Sequence, residues 1–395
     1  PSTGQTTLPP VQAALLGHLI GDGCTLPRHA IQYTTREFDL ANMVADLARE
    51  VFGGLIVPRV ERQRQWYQVY LASAVRLTQG KHNPVTRWLT ELGVFGLRSH
   101  EKWVPEPVFH QSPEIIGTFL RHLWSTDGCV RPPANGRRHP AVYYASSSER
   151  LARDVQTLLL HLGINAVLRT REQGTKGRPQ YHVMVMGRDD LLAFAGKVGA
   201  VGEYKSSALR ECVEWMKGRK GNTNRDVIPF PVWGELAIPA MRRNGVTMRA
   251  LQSSLGMAFM GTGLYKQNVS RERAARVAAA VGGDPRIALL ADSDVYWDEV
   301  REVRPDGTEE VFDLTVPGPA NFLANGIIAH NSIEQDADTC LLLHRPGRYD
   351  GATEDNVIEV IVAKQRNGPT GEVTLTYLKQ FMRYENYAPE HGFGM

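Results

Sequence analysis

The fold of this chain is decided by a ten-residue stretch that occurs twice. The first copy is LLGHLIGDGC at residues 15–24, and the second is LRHLWSTDGC at residues 120–129. Each copy is mostly apolar and ends in Asp-Gly-Cys, and the two aspartates, Asp22 and Asp127, stand 105 residues apart. Self-similarity at a fixed spacing indicates a repeated structural unit. We therefore expect the sequence around each copy to repeat as well.

The sequence after each copy follows one shared order. A helical pattern at Leu40–Phe52 and a strand-like stretch at Arg64–Ala72 follow the first copy. A helical pattern at Leu151–Leu162 and a strand-like stretch at Gln180–Met186 follow the second. Hydrophobic periodicity of this kind is the main signal for helices and strands. We predict an α+β fold built from two pseudo-symmetric αββαββα units.

The repeated stretch resembles the motif of the LAGLIDADG homing endonucleases, and the resemblance covers residues 11–217. It implies that two helices, each ending at its Asp-Gly pair, pack side by side and bring Asp22 and Asp127 to one point on a pseudo-twofold axis. Carboxylates held near backbone carbonyls suit Mg²⁺, which activates water and stabilises the leaving oxygen during phosphodiester cleavage. We predict these aspartates as metal ligands; the alternative is two helix-end residues without a role.

A lysine follows each aspartate at a matched distance. Lys102 lies 80 residues past Asp22, and Lys205 lies 78 residues past Asp127. By the same resemblance, these lysines would stabilise phosphate charge or orient water, whereas the alternative is two solvated surface lysines. His122 aligns with Gly17, where the family has small residues in both helices, so we expect it to widen or rearrange the helix contact.

Two basic, amide-containing ribbons occupy equivalent places in the repeat and are candidates for DNA binding. Arginines and lysines pair with phosphates, and glutamines can read adenine edges in the major groove. The predicted DNA-binding residues are Arg59, Arg62, Arg64, Gln65 and Gln68 in the first unit and Arg169, Arg171, Lys176 and Arg178 in the second. The predicted partner is double-stranded DNA carrying the uninterrupted insertion site.

Residues 226–292 form a third region. Helical patterns at 247–257 and 270–281 look like a small helix-turn-helix, although glycines between them weaken the would-be recognition helix. An accessory DNA-binding function and a purely structural helical insert both fit this sequence.

Residues 329–332, Ala-His-Asn-Ser, follow a strand pattern and a Pro-Gly turn. It resembles the C-terminal splicing motifs of inteins, with the cyclising Asn331, the penultimate His330, the acceptor Ser332 and the catalytic Asp313. The Asn331 side chain would attack its own carbonyl carbon while His330 polarises the peptide bond. Ala320 stands where many members carry histidine. Two strands joined by the turn are predicted, with the His-Asn pair ending a buried strand.

Residues 332–395 closely resemble the C-terminal end of the DnaB-type replicative helicases. The resemblance implies part of a RecA-like α/β core with a buried, mostly parallel sheet and a final edge strand at 373–377. It also implies that Gln335 senses nucleotide state while Lys364 and Arg366 reach the γ-phosphate held by the next subunit of a homohexameric ring. The sequence contains no Gly-x-x-x-x-Gly-Lys-Ser/Thr loop, so ATP is expected only in the complete host helicase.

Composition restricts the class of protein. With 45 basic and 42 acidic residues, 42% hydrophobic content and no long apolar run, the chain is expected to be soluble and cytoplasmic, associated with the nucleoid. The four cysteines form no Cys-x-x-Cys pair, so neither a zinc site nor a disulfide framework is indicated. DNA binding must then come from local patches of charge.

Together these patterns predict most of an intein inside a helicase fragment that lacks the N-terminal splicing segment, which would be a partner in splicing. The predicted boundaries are a linker at 1–10, repeats at 11–118 and 119–225, a helical insert at 226–292, splicing strands at 293–331 and a helicase segment at 332–395. Three functions remain open at this point: a site-specific endonuclease with splicing chemistry, the inherited role of an ATP-dependent helicase, and a decayed endonuclease that only binds DNA.

Overall fold

The computed structural model describes most of the chain up to residue 305 and separate segments after it. The described residues are 7–78, 80–134, 139–219, 221–222, 225–305, 307–310, 316, 321–324, 326–330, 339–344, 356–365, 368–378 and 383–387. The chain divides into two compact units, Pro1–Val300 and Arg301–Met395. Among the described helices, none is long and apolar enough to cross a membrane.

The first part of the larger unit runs helix, strand, strand, helix, strand, strand, helix. Its elements are α1 (Pro10–Asp22), β1 (Gly23–Cys24), β2 (Gln32–Thr35), α2 (Phe38–Phe52), β3 (Ile56–Gln63), β4 (Trp66–Ser73) and α3 (Pro84–Glu91), followed by the short α4 (Glu106–Phe109). A single 3₁₀ turn at Gly53–Leu55 joins α2 to β3.

The second part of this unit repeats that order. Its elements are α5 (Pro113–Trp124), β5 (Gly128–Arg131), β6 (Ala141–Ser146), α6 (Glu149–His161), β7 (Ala166–Arg171), β8 (Gln180–Val185), α7 (Arg188–Lys197) and α8 (Glu203–Met216). The strand order is β1-β2-β4-β3 in the first sheet and β5-β6-β8-β7 in the second, and every pairing is antiparallel. One hydrophobic core runs through both parts.

Helices α2 and α6 lie on their sheets through matching apolar stripes. Leu40, Ala41, Val44, Ala45 and Ala48 are buried on α2, and Leu151, Ala152, Val155, Leu158 and Leu159 are buried on α6. This spacing places the apolar side chains on one face of a helix with 3.6 residues per turn. The Ser148 hydroxyl accepts from the Leu151 amide at 3.1 Å and caps the start of α6.

Residues 227–292 fold around a second, separate core. Their elements are β9 (Val227–Ile228), a π-helical turn (Trp233–Ala237), α9 (Ile238–Arg243), α10 (Met248–Ser254), a 3₁₀ helix (Gly261–Lys266), β10 (Val269–Ser270), α11 (Arg271–Ala280) and α12 (Pro285–Asp292). The proline-rich opening belongs to this core, since Ile228, Val232 and Trp233 are buried in it. Trp233 also donates from Nε1 to the Gln267 carbonyl at 3.0 Å.

The smaller unit contains a hairpin and a sheet within its described residues. β11 (Asn321–Ala324) pairs with β12 (Ile327–His330), and β13 (Thr339–His344), β14 (Val357–Gln365), β15 (Gly371–Leu378) and β16 (Arg383–Asn386) form a sheet in chain order. The Asn321–Ala324 and Ile327–His330 strands are joined through Asn325-Gly326, a dipeptide typical of two-residue hairpins.

Three predictions about this unit are wrong. The strand leading to His330 is not buried, since Ile327 and Ile328 are 70% and 54% exposed. All three pairings of the four-stranded sheet are antiparallel, and the connections from β14 to β15 and from β15 to β16 are too short for the crossover that parallel strands require. The predicted edge strand at 373–377 lies inside β15, which pairs with a neighbour on both sides.

Candidate functional site

The two repeated stretches meet where α1 and α5 pack against each other. A Cβ added at Gly17 would lie 2.6 Å from the Phe119 carbonyl oxygen, and one added at Gly21 would lie 2.0 Å from Thr126 Oγ1. Real Cβ atoms are excluded at such distances, so these two glycines permit the close approach of the helices. Of the two outcomes expected of His122, a widened contact is therefore wrong, whereas a rearranged contact stays a prediction.

His122 instead takes part in a buried polar network between the two helices. Its Nδ1 lies 2.9 Å from His18 Nε2, so one of the rings donates a hydrogen bond to the other. His18 Nδ1 lies 3.3 Å from the hydroxyl of Tyr33 and 3.3 Å from that of Ser125. The Ser125 hydroxyl also donates to the His122 carbonyl at 2.5 Å. Shared hydrogen bonds of this kind satisfy polar groups that would be costly to bury alone.

Burial keeps both histidine rings neutral. It lowers the pKa of His18 well below the ordinary value of 6.5, and the charges of His122 and Lys205 lower it further. Burial, with a smaller contribution from Arg121, lowers the pKa of His122 to about 4. Both rings are thus uncharged at neutral pH, directly beneath the ends of the two helices.

Asp22 ends α1 and Asp127 follows the end of α5 by three residues, and the two carboxylates lie close enough for the charge of Asp127 to act on Asp22. Burial first and the charge of Asp127 second raise the pKa of Asp22 to about 7, against the opposing charges of Lys102 and Lys205. Burial also raises the pKa of Asp127, again against the two lysine charges. Both residues are nevertheless exposed by their accessible surface, so solvent screens much of this effect and reduces the size of each shift without changing its direction. The site thus holds two carboxylates that disfavour each other's charge.

The two lysines lie at the same place, each on the end of its own helix. Lys102 Nζ donates to the carbonyls of Gly21 at 2.8 Å and Gly23 at 3.1 Å. Lys205 Nζ donates to the Trp124, Ser125 and Thr126 carbonyls at 3.1, 2.7 and 2.6 Å. Three acceptors use all three ammonium protons of Lys205, whereas Lys102 keeps one proton for a further acceptor. Burial lowers the pKa of both lysines, and the aspartates oppose that shift.

The prediction that both motif helices end at Asp-Gly is correct for α1 and wrong for α5. α5 ends at Trp124, three residues before Asp127. The hydroxyls of Ser125 and Thr126 donate to the carbonyls of His122 and Leu123, both at 2.5 Å. Serine and threonine that bond back in this way compete with the helix, so the chain turns before the aspartate.

Within the described residues, no group of three or more His, Cys, Asp and Glu side chains is arranged to hold a metal ion. The donor set at the helix ends is therefore two carboxylates with backbone carbonyl oxygens beside them. Oxygen donors of this type suit a hard divalent cation. The raised pKa values also fit, because a cation beside the carboxylates would favour their charged forms and so oppose the burial that raises both pKa values and the charge of Asp127 that adds to the shift of Asp22.

The open face of the first sheet carries part of the predicted DNA-binding set. Arg59 and Gln68 lie on the face opposite the core. Arg62 lies two residues after the inward-facing Val60 and so belongs to the core-facing side of β3. Arg64 lies in the β3–β4 turn with a φ of 56°. Gln65 is exposed in the same turn. Arg59 is paired with Glu61 at 2.8 Å, which reduces its net charge.

Aromatic side chains on this face hold two of its arginines, and of these residues Tyr70 and Arg36 were not predicted from the sequence. Tyr70 lies under the Arg59 guanidinium at 5.3 Å and donates its hydroxyl hydrogen to Gln68 at 2.6 Å. Arg36 lies over the Trp66 ring at 4.5 Å. Stacking of this type holds a guanidinium group in place on the sheet.

The second sheet presents an equivalent open face. Arg169 and Arg171 are exposed in β7, opposite His182 and Gln180 of β8. His182 stacks on Tyr143 with ring centroids 4.8 Å apart. Arg178 is exposed and bonds His100, and Lys176 lies in a 3₁₀ turn between the strands.

Most residues predicted for splicing and for the helicase fall outside the described residues. These are Asp313, Asn331, Ser332, Gln335 and Arg366. His330 ends β12, opposite Asn321. Lys364 lies in β14, opposite Cys340.

His18, Tyr33 and Ser125 were missed as parts of the site. The available signal was a histidine inside an otherwise apolar stretch, since a buried imidazole requires a polar partner. The sequence did not say where that partner lay, because His122 is 104 residues away.

Two family models match this chain. Residues 114–199 match the LAGLIDADG-like domain, and residues 275–386 match the DnaB-like helicase C terminal domain. The replicative DNA helicase DnaB of Rhodothermus marinus is 54% identical over 401 residues, covering 99% of this chain and 42% of that protein. The protein RecA of Mycobacterium tuberculosis (strain H37Rv) is 24% identical over 348 residues, covering 82% of this chain and 42% of RecA. The chain thus spans less than half the length of these relatives.

Among solved structures, the homing endonuclease I-DmoI in complex with DNA and Ca aligns with a TM-score of 0.36 and 14% identity, covering 51% of this chain and 97% of I-DmoI. The chain carries a LAGLIDADG-like domain together with a DnaB-like helicase C-terminal segment, and DnaB proteins match it along almost its whole length.

Proposed function

We propose that the two repeats form a site-specific, metal-dependent endonuclease that cuts double-stranded DNA. The observation that carries this proposal is the meeting of Asp22, Asp127, Lys102 and Lys205 at the ends of two closely packed helices. Two sheets with the same strand order present cationic open faces. Such faces suit the phosphate backbone of a duplex, since phosphate contacts from Arg and Lys supply most of the affinity.

In this proposal Asp22 and Asp127 hold Mg²⁺, which would activate water and stabilise the leaving oxygen. Lys205, with all its donors used, fixes a positive charge at the end of α5. Lys102 has a donor left to bind a phosphate oxygen or to orient water. The neutral His18–His122 pair holds the helices in register beneath the carboxylates.

Cleavage of plasmid DNA tests this function. One plasmid carries the host helicase gene without the insert, and a matched plasmid carries the same gene with the insert in place. We expect the chain to linearise only the first plasmid and only with Mg²⁺ present. Failure to cut the first plasmid, or equal cutting of both, would contradict the proposal.

A second function, protein splicing, is favoured by one specific comparison. Proteins named DnaB and RecA match 99% and 82% of this chain. A segment shared by proteins with different names is expected of a transferable insert. We infer an intein whose C-terminal step is cyclisation of Asn331, assisted by His330 and Asp313, with Ser332 as the acceptor residue. Mass spectrometry for a peptide that begins at Ser332 tests this step, and Asn331→Ala should abolish the peptide.

The residues after the splice junction represent the host in this proposal, an ATP-dependent replicative helicase that forms a homohexameric ring. Its support is the DnaB-like family match and the high identity to DnaB. In this host, Gln335 would sense the state of the nucleotide, and Lys364 and Arg366 would contact the γ-phosphate held by a neighbouring subunit. The chain alone is therefore expected to show no ATPase, with or without single-stranded DNA.

A further inference from the structure

The helical region at residues 226–292 is basic compared with the rest of the chain. It contains eight Lys and Arg against five Asp and Glu, a net charge of +3, which equals the formal net charge of the whole chain. It also has its own hydrophobic core, formed around Trp233, Leu251, Leu264 and Val277. A basic region with an independent core has the character of a separate binding module.

A short 3₁₀ helix, Gly261–Lys266, is held firmly on this core. Gln252 is buried and fixes the loop before the helix, donating to the Gly261 carbonyl at 2.9 Å and accepting from the Met260 amide at 2.6 Å. Trp233 packs against Tyr265 with ring centroids 5.4 Å apart. The helix and its loop are thus rigid relative to α9 and α10.

Polar and cationic side chains of this helix, and of the residue that follows it, are exposed to solvent. Thr262, Lys266 and Gln267 are exposed. Arg249 of α10 lies over the ring of Phe259, 5.0 Å from its centroid, and Phe259 is 54% exposed. The cations of α10 and of the short helix therefore flank one loop.

The cations of α10 and of the short helix are not neutralised by the protein. Among the described residues, Arg249 and Lys266 have no acidic partner. Two acids of the region pair with other cations: Asp284 pairs with Arg243 at 2.7 Å, and Asp226 pairs with Arg271 at 2.6 Å. Unpaired cations beside an exposed amide and hydroxyl match the contacts that proteins make with phosphates and base edges.

We propose that this region is a second DNA-binding module, in which Arg249 and Lys266 contact phosphates of duplex DNA while Thr262 and Gln267 face base edges in the major groove. The arrangement is that of a helix-turn-helix, with α10 as the first helix and the short 3₁₀ helix in the reading position. The module would bind DNA flanking the cleavage site. The proposal rests on the chain acting on DNA, and not on its cutting DNA.

The salt dependence of binding tests this module in the full chain. The probe is a fluorescein-labelled 40-base-pair duplex of arbitrary sequence in EDTA, and the dissociation constant is measured by anisotropy between 50 and 200 mM salt. Each phosphate contact contributes about 0.9 to the slope of log affinity against log salt. Arg249→Ala/Lys266→Ala should therefore reduce the slope by about 1.8, so its affinity loss over that range should be about 12-fold smaller than in the wild type.

Arg49→Ala/Arg87→Ala is the matched control, because it removes two exposed cations that are paired with Asp46 and Glu91. Its slope should change by less than 0.5. The single variant Lys266→Gln should give about half the effect and serves if the double variant unfolds. Equal slopes in the double variant and the wild type, or equal loss in both double variants, would overturn the proposal. A chain that binds with this slope but does not cut would contradict only the endonuclease.

Discussion

Replacing Asp22 by asparagine should stabilise the metal-free protein. The pKa of Asp22 is raised from 3.8 to about 7 by burial and by the charge of Asp127. Each unit corresponds to about 1.4 kcal/mol, and solvent contact reduces the total to about 1–2 kcal/mol. Because the folded-state pKa lies above the unfolded one, the penalty is absent below about pH 4, grows as pH rises and is complete above about pH 7.

Urea unfolding in EDTA at pH 4 and pH 8 measures this effect. We expect Asp22→Asn to unfold at higher urea than the wild type at pH 8 and at similar urea at pH 4. Glu211→Gln is the control, since Glu211 is exposed, and it should change neither midpoint. An Asp22→Asn variant that is less stable than the wild type at pH 8, or equally shifted at both pH values, would refute the opposition of the two carboxylates.

Three further predictions follow from the same contacts. Burial lowers the pKa of His122 to about 4, so the neutral ring stabilises the fold above pH 6.5 and this contribution is lost as pH falls. His122→Asn should therefore reduce, by about 2 kcal/mol, the drop in unfolding free energy between pH 7.5 and pH 5, measured by urea unfolding. The control His29→Asn should leave that drop unchanged. Lys102→Gln should slow cleavage at saturating DNA more than Lys205→Gln does. Lys205→Gln should lower the free energy of unfolding by about 1.5–3 kcal/mol, because three carbonyls lose a charged donor. A larger cleavage defect in Lys205→Gln than in Lys102→Gln would contradict the roles given to the lysines. Asn331→Ala should abolish any Ser332-initiated peptide while leaving DNA cleavage unchanged, and a peptide that persists in the variant would exclude cyclisation.

The sequence predicted those elements whose apolar residues form a single clear stripe. The helix predicted at Leu40–Phe52 is observed at Phe38–Phe52, and the helix predicted at Leu151–Leu162 is observed at Glu149–His161. The repeat also brought Asp22 and Asp127 together correctly, because two equivalent helices that pack against each other bring their ends to one point. Apolar stripes and repeats can be recognised in a sequence without knowing which residues pack against them.

The errors arose where partners or connection lengths decide the outcome. The position of His122 suggested a wide helix contact. In the structure its ring is hydrogen-bonded to His18 across the interface, and Gly17 lets the two helix backbones approach closely. The sheet at 339–386 was predicted as parallel from its apolar strands, yet the connection between Gln365 and Gly371 is too short for a crossover. The Asn-Gly dipeptide at residues 325–326 was a hairpin signal in the sequence that was overlooked.

The central claim, that Asp22 and Asp127 form one catalytic site separate from the DNA-binding surfaces, is tested most directly by measuring cleavage and binding together. Linearisation of the uninterrupted-gene plasmid in Mg²⁺ and anisotropy of the same site in EDTA are compared for wild type, Asp22→Asn and Asp127→Asn. We predict that each variant loses at least 10²-fold in cleavage rate while its dissociation constant changes less than about threefold. Near-normal cleavage by either variant, or a loss of binding that matches the loss of cleavage, would contradict the account.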